Sequence, residues 1–195
     1  MNLCVLHDPD ALARAAAEQF VELARSSILS RALFTVALSG GSTPRRLYQY
    51  LAATPFRDQV DRSRVEVFWG DERGVPPDHP ESNYRMASAA LLDRVPIPRR
   101  SIHRIIAERI DRSSAARDYQ LEIARADPQS RARGPGSGRR IGQGGHAAVL
   151  EGPHDPERRP IQLVHPEHGR MIWLVDEAAA SELEPRAVVS AGAAG

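Results

Sequence analysis

Two short polar stretches carry most of the side chains that suit ligand chemistry, and the first is SGGST at residues 39–43. It follows an apolar run and precedes a helix-like segment, with Thr43 expected to cap that helix and Pro44 in its first turn. A glycine turn at a helix N-terminus presents unpaired N–H groups and partial positive charge, which favours an anion such as phosphate. The residues assigned to this anion-binding corner are Ser39, Gly40, Gly41, Ser42, Thr43 and Arg45. A tight turn that binds no ligand fits the same residues.

The second stretch is GDER at residues 70–73, directly after the apolar run VEVFW. In open α/β sheets, ligands bind at the carboxyl ends of the strands, where this loop is expected to lie. Arg73 can form paired hydrogen bonds with a phosphate, and Asp71 can bind sugar hydroxyls or transfer a proton. An Asp71–Arg73 ion pair that only stabilises the loop is the alternative.

The elements that must position these stretches alternate along the chain. We predict strands at residues 1–6, 33–38, 65–69, 102–106 and 171–175. We predict helices at 9–26, with Asp8 as its N-cap and Pro9 in its first turn, and at 44–53, 84–92, 113–125 and from 176. This alternation predicts an α/β fold with a Rossmann-like, doubly wound parallel sheet.

The segment at residues 126–145 breaks the pattern. It contains four arginines and six glycines with Ile141 as its one large aliphatic residue, so we interpret it as a linker. We therefore predict a single domain over residues 1–183, interrupted by this linker and followed by a frayed tail at 184–195. The sheet is expected to be incomplete in its middle.

Composition excludes several classes of function. The formal net charge of +1 gives no reason to expect nucleic acid or membrane as a partner, and no stretch approaches the ~20 apolar residues of a membrane span. All 26 basic residues are arginine, which excludes lysine chemistry, and neither a nucleotide-binding glycine motif nor a metal-binding spacing is present. The one cysteine, Cys4, is expected to be a small core residue in a reducing, cytoplasmic environment.

Taken together, SGGSTP, WGDERGVPPDHPESNYRMA and the late WLVDEAAASEL resemble the 6-phosphogluconolactonase family. The resemblance implies an α/β fold related to glucosamine-6-phosphate deaminases. It also implies hydrolysis of 6-phosphoglucono-1,5-lactone to 6-phosphogluconate in the oxidative pentose phosphate pathway, without a cofactor or metal. By motif match it places Gly40, Gly41, Ser42 and Thr43 at the substrate. Asp71 and Arg73 would be catalytic residues, with Asn83 beside them.

The resemblance departs at the general base. Family members carry a loop of the form GxGxDGHTASLFP, whose histidine activates water, whereas this chain has RARGPGSGRRIGQGGHAAVLEG at that place. The residues after His146 fit a later helix of the family, so we interpret His146 as a surface residue and identify no general base.

Three functions therefore remain open from the sequence. The chain is a lactonase, or a non-catalytic relative that binds a sugar phosphate, or an isomerase of the glucosamine-6-phosphate deaminase type. A nucleic-acid contact by the arginines of 126–145 is a weaker interpretation, because no aromatic residue is interleaved for stacking. The sequence does not give the oligomeric state.

Overall fold

The computed structural model describes residues 2–126 and 172–181 of the 195. Their order is β1 (Asn2–Leu6), α1 (Pro9–Arg31), β2 (Phe34–Leu38), α2 (Ser42–Leu51), β3 (Val65–Trp69), α3 (Asn83–Ala90), α4 (Arg112–Ala126), β4 (Ile172–Asp176) and α5 (Glu177–Ala180). Short 3₁₀ turns lie between α2 and β3 and between α3 and α4. The predicted alternation of strands and helices is confirmed.

Helix α1 begins where the sequence predicts. The Asp8 side chain accepts the N–H groups of Asp10 and Ala11, and Pro9 occupies the first turn. The helix runs to Arg31 rather than to Ser26 as predicted, because no glycine or proline interrupts it. It ends where Ala32 adopts a left-handed conformation and donates its N–H to the carbonyl of Ile28.

The four strands form two parallel pairs. β1 pairs with β4 from Asn2↔Ile172 to Leu6↔Asp176, and β2 pairs with β3 from Phe34↔Val65 to Leu38↔Trp69. No strand joins the two pairs within the part of the chain that the structure describes. An α/β fold with parallel strands and an incomplete sheet is what the sequence predicts.

Helices cover both faces of the β2–β3 pair. On one face, the Phe20 ring of α1 meets the Phe34 ring edge-on, with 5.2 Å between ring centroids. On the other, Tyr119 of α4 lies over Phe68, with 6.2 Å between centroids. The doubly wound arrangement is confirmed for this pair. The core beneath α1, α2 and α3 is apolar and almost fully buried, and includes Val36, Leu38, Leu47, Leu51, Val65, Val67, Trp69 and Leu91.

A buried cation fixes the C-terminal end of α2. Arg62 is 3% exposed, donates from Nη2 to the carbonyl of Leu51 at 2.9 Å, and lies 5.8 Å from the centre of the Phe20 ring. Burial lowers the pKa of Arg62 to about 10. A cation at a helix C-terminus interacts favourably with the negative end of the helix dipole, which offsets part of the cost of burying this charge.

Two local predictions are wrong. The strand expected over residues 102–106 is reduced to a single parallel bridge between Val67 and Ile102. Cys4 is half-buried rather than a core residue, although it is a free thiol as expected.

Part of the domain prediction lies outside the described residues. The proposed linker begins at residue 126, but Ala126 is still the last residue of α4. The rest of the linker, the late histidines including His146, and the proposed tail at 184–195 fall on residues that the structure does not describe. None of the helices in the described ranges is both long enough and apolar enough to cross a membrane.

The core is tested by comparing one substitution at a buried and an exposed leucine. Leu51→Ala, at a fully buried position, is expected to lower the free energy of unfolding by about 2–5 kcal/mol through lost burial and a cavity. Leu29→Ala on α1, where the side chain is 88% exposed, should change it by less than about 0.5 kcal/mol. Urea unfolding of both variants measures the difference, and equal effects would contradict this assignment of the core.

Candidate functional site

The two polar stretches leave the sheet side by side. Leu38 and Trp69 are the last paired residues of the parallel strands β2 and β3, so both loops begin at one edge. The Gly70 N–H donates to the carbonyl of Leu38 at 3.0 Å and extends the pairing by one residue. This edge is the carboxyl edge of the strand pair, where ligands bind in open α/β sheets.

The SGGST stretch forms a sharp turn into α2. Gly41 precedes the helix with φ of 110°, a conformation that glycine adopts without strain. Thr43 does not cap the helix as predicted, because α2 begins one residue earlier, at Ser42, and no side-chain cap is formed. The first helical hydrogen bond is donated by the Arg45 N–H to the carbonyl of Gly41 at 3.2 Å. Gly41 and Ser42 are exposed and no side chain caps the helix, so the first N–H groups of α2 have no side-chain partner, and anion binding at this turn stays a prediction.

Asn83 joins this turn to the second loop. A Cβ atom on Gly40 would lie 1.7 Å from the Asn83 Oδ1, so the Gly40 backbone packs directly on the amide. The same amide donates from Nδ2 to the Asp71 carbonyl at 3.2 Å and to the Asp71 carboxylate Oδ2 at 3.3 Å. Asn83 is 4% exposed. One buried side chain thus brings together three of the predicted site residues: Gly40, Asp71 and Asn83 itself.

Glu72 holds the loop against the start of α3. Its carboxylate accepts the backbone N–H of Asn83 at 2.7 Å and that of Tyr84 at 2.9 Å, as well as the Ser82 hydroxyl at 3.2 Å. It also accepts the N–H of Arg73 at 2.8 Å. An anion that accepts the first N–H groups of a helix also interacts favourably with the helix dipole. The acidic residue between the two predicted catalytic residues is therefore a structural anchor.

Asp71 and Arg73 lie on the exposed side of this anchor. Both belong to the described part of the chain and are exposed, and they do not form an ion pair with each other. The alternative of an Asp71–Arg73 ion pair holding the loop is therefore wrong, since Glu72 does so instead. Arg45, on the first turn of α2, is exposed and also forms no ion pair with a described residue. Two guanidinium groups and one oriented carboxylate thus border the two loops.

The histidines of the described ranges are engaged in other contacts. His103 is half-buried with Nε2 2.6 Å from Glu66 and Nδ1 2.9 Å from Glu122, and it stacks on the Phe68 ring. His7, at the end of β1, lies 3.2 Å from Glu177 of α5. His79 belongs to the exposed loop after GDER, and its Nδ1 accepts the Glu81 N–H at 3.2 Å. Within the described ranges, no histidine ring therefore contacts Asp71, Arg73 or Asn83.

Two tyrosines support the site although sequence reasoning did not single them out. The Tyr48 hydroxyl contacts both the N–H and the carbonyl of Ser39, each at 2.9 Å. The Tyr119 hydroxyl contacts the N–H of Trp69 at 2.7 Å and its carbonyl at 3.1 Å. The positions of the two tyrosines in the sequence give no sign that their hydroxyls bind strand ends.

The family model and the relatives that match this sequence share one description, 6-phosphogluconolactonase. A family model described as glucosamine-6-phosphate isomerases/6-phosphogluconolactonase matches residues 7–135. A 6-phosphogluconolactonase of Streptomyces coelicolor is 34% identical over 176 residues, which cover 86% of this chain and 67% of the relative. One from a Nostoc strain is 45% identical over 101 residues, covering 52% of this chain and 40% of the relative. The chain thus spans well under two thirds of some of the curated relatives it matches.

Solved structures share the fold. The crystal structure of a devB protein superposes with a TM-score of 0.73 over 94% of this chain and 99% of that one, at 22% identity. The 6-phosphogluconolactonase of Trypanosoma cruzi superposes with a TM-score of 0.57 at 30% identity, over 64% of this chain and 50% of that one. At 22% identity, the likeness to the devB protein shows a shared fold alone. The Trypanosoma cruzi protein is 30% identical to this chain, which is close to the 34% identity of the Streptomyces coelicolor relative.

The contact between Gly40 and Asn83 is tested by a single methyl group. Gly40→Ala is expected to displace the Asn83 amide from Asp71 and to lower the free energy of unfolding by roughly 1–3 kcal/mol, since the clash is with a buried side chain. Gly70→Ala is the matched control, because its Cβ would lie 3.8 Å from the nearest atom. Chemical denaturation measures both, and a Gly40→Ala chain as stable as the control would contradict this packing.

The anchoring role of Glu72 is tested with Glu72→Gln, which keeps the shape and removes the charge. In the unaltered chain, the backbone N–H groups of Asn83 and Tyr84 donate to the Glu72 carboxylate. In the variant, one of these oxygens is replaced by an NH2 group that cannot accept a hydrogen bond, so we expect the free energy of unfolding to fall by about 1–3 kcal/mol. Glu81→Gln, whose side chain is 74% exposed on the same loop, should have little effect. Similar stability in the two variants would show that the carboxylate does not anchor the loop.

Proposed function

Because the chain belongs to the glucosamine-6-phosphate isomerase/6-phosphogluconolactonase family, we propose that it binds a phosphorylated sugar lactone at the carboxyl edge of β2 and β3 and hydrolyses it. The proposed substrate is 6-phosphoglucono-1,5-lactone and the product 6-phosphogluconate, a step of the oxidative pentose phosphate pathway in the cytoplasm. The observation that carries the proposal is the contact of Asn83 with both Gly40 and Asp71, which makes one site of the two loops.

The phosphate is assigned to the corner and its neighbouring arginines. The uncapped first turn of α2 offers backbone N–H groups, and Ser42 and Thr43 offer hydroxyl donors. Arg73 and Arg45 are exposed and add positive charge at this edge. A guanidinium group can bind phosphate through two parallel hydrogen bonds, so these groups together suit a phosphomonoester dianion.

The carboxylate of Asp71 is assigned to the sugar end of the ligand. Its Oδ2 is oriented by Asn83, which leaves the second oxygen for a sugar hydroxyl or for a proton in transfer. Hydrolysis forms a bond from the water oxygen to the ester carbonyl carbon and breaks the bond from that carbon to the ring oxygen, so the attacking water must lose a proton to a base while the ring oxygen takes one up. We assign no residue to that base.

A second candidate function follows because no residue is assigned as the general base. The histidine rings of the described ranges contact Glu66, Glu122, Glu81 and Glu177 rather than Asp71, Arg73 or Asn83. This observation favours a sugar-phosphate-binding protein that does not catalyse hydrolysis. No comparable observation favours the isomerase.

One assay on the full chain separates the two candidates. A lactonase accelerates the loss of 6-phosphoglucono-1,5-lactone above its spontaneous rate, and this loss is measured by the protons that hydrolysis releases. A lactonase also binds 6-phosphogluconate, which calorimetry detects. A binding protein shows the second result without the first. A folded chain that shows neither would overturn both candidates.

Substitutions assign the roles within the site. Arg73→Gln should weaken 6-phosphogluconate binding by about 10–100-fold, because one or two charged hydrogen bonds to phosphate are lost. Asp71→Asn should slow turnover by about 100-fold or more if the chain is a lactonase. Arg57→Gln is the matched control, since Arg57 is exposed on the 3₁₀ turn Phe56–Gln59 and lies near Asp58. Equal effects of Arg73→Gln and the control would contradict the phosphate assignment.

A further inference from the structure

Two tyrosine hydroxyl groups take the place of a neighbouring strand at the ends of β2 and β3. Tyr48 contacts the N–H and the carbonyl of Ser39, and Tyr119 contacts those of Trp69. In a parallel sheet, the N–H and carbonyl of one residue on a strand edge both point to the adjacent strand. A hydroxyl has one proton to donate and two lone pairs, so it can satisfy both backbone groups at once.

Each anchored residue stands at the start of one loop of the proposed site. Ser39 is followed by Gly40 and Gly41 of the anion-binding corner. Trp69 is followed by Gly70 and Asp71. The two hydroxyls therefore hold the backbone immediately before the two ligand loops.

The two tyrosines reach these points from opposite sides of the strand pair. Tyr48 belongs to α2 and is 2% exposed. Tyr119 belongs to α4, is half-buried, and also lies 3.2 Å from the carbonyl of His103 through its hydroxyl. Burial raises the pKa of the Tyr48 hydroxyl well above its ordinary value, and the negative charge of Asp71 acts in the same direction. The hydroxyl therefore keeps its proton, which it can donate to the Ser39 carbonyl.

We propose that Tyr48 and Tyr119 are positioning residues of the sugar-phosphate site, and that their hydroxyls set the geometry of the two ligand loops. This inference rests on the proposed function for the identity of the ligand, but its structural part does not. Without the hydroxyl, the N–H and carbonyl of Ser39 or Trp69 lose their partner while the ring still fills the same space. The loop that follows then samples conformations that do not present its groups to the ligand.

The variants Tyr48→Phe and Tyr119→Phe isolate the hydroxyl from the ring. Tyr50→Phe is the matched control, because Tyr50 lies on the same helix as Tyr48 but donates its hydroxyl to Asp10 of α1 at 2.6 Å. Two readouts are taken on the folded full chain: the Kd for 6-phosphogluconate by calorimetry, and native-state amide exchange at Gly40, Gly41 and Asp71.

Each positioning variant is expected to weaken binding by about tenfold, the equivalent of one or two lost hydrogen bonds. Exchange should accelerate by about tenfold at the loop that follows the altered tyrosine and not across the core. The control should change either quantity by less than about twofold. If the Tyr48→Phe chain does not fold, the test is made with Tyr119→Phe, because Tyr119 is less buried than Tyr48.

The outcomes separate this inference from the proposed function. Unchanged loop exchange in the folded variants overturns the inference, as does faster exchange with unaltered affinity in a chain that binds. A uniform loss of stability with no local effect on either loop also overturns it. If the unaltered chain does not bind 6-phosphogluconate, the ligand assignment fails, whereas local acceleration of exchange still supports the anchoring of the loops by the hydroxyls.

Discussion

The packing of the Asn83 amide against the backbone of Gly40 is the contact on which the rest of the site depends. It brings the first turn of α3 onto the turn after β2, and through Asp71 it also reaches the loop after β3. The contact needs a position without a side chain at residue 40 and a buried amide at residue 83. The amide has donors and an acceptor on a rigid plane, so its orientation fixes both loops at once. The spacing between the two polar stretches is therefore set by a residue that belongs to neither of them.

Glu72 and Ser82 make this arrangement possible. The position of Asn83 depends on where α3 begins, and that start is specified by the Ser82 cap together with the Glu72 carboxylate. Because the carboxylate belongs to the same loop as Asp71, the loop and the helix cannot move independently. The charge of Glu72 positions the loop against the start of α3, while Asp71 and Arg73 on either side remain exposed for a ligand. The division of roles within three consecutive residues explains why an ion pair between Asp71 and Arg73 is not needed.

The backbone N–H and carbonyl groups at the ends of helices and strands differ in whether a side chain serves as their hydrogen-bond partner. At the start of α2 the N–H groups have no side-chain cap, which suits an anion, whereas at the strand ends two tyrosine hydroxyls serve as partners. Arg62 meets a terminal carbonyl of α2 in the same way. The described residues thus leave polar backbone exposed at the corner where a phosphate is proposed, and supply side-chain partners where strands and helices end in the interior.

The sequence by itself determined the order of elements, the cap at Asp8, the bounds of β3, and the two loops, because these depend on local propensity and on side chains close in the chain. It misplaced the cap of α2 and predicted a strand at 102–106, since a helix start and a strand both depend on partners distant in sequence. Only the tertiary structure decided that Glu72 anchors the loop, that Asn83 joins it to Gly40, and that Tyr48 and Tyr119 hold the strand ends. These contacts connect residues 9 to 50 positions apart, and the physical reason that they escape sequence reasoning is that hydrogen-bond partners at such separations are chosen by packing rather than by local pattern.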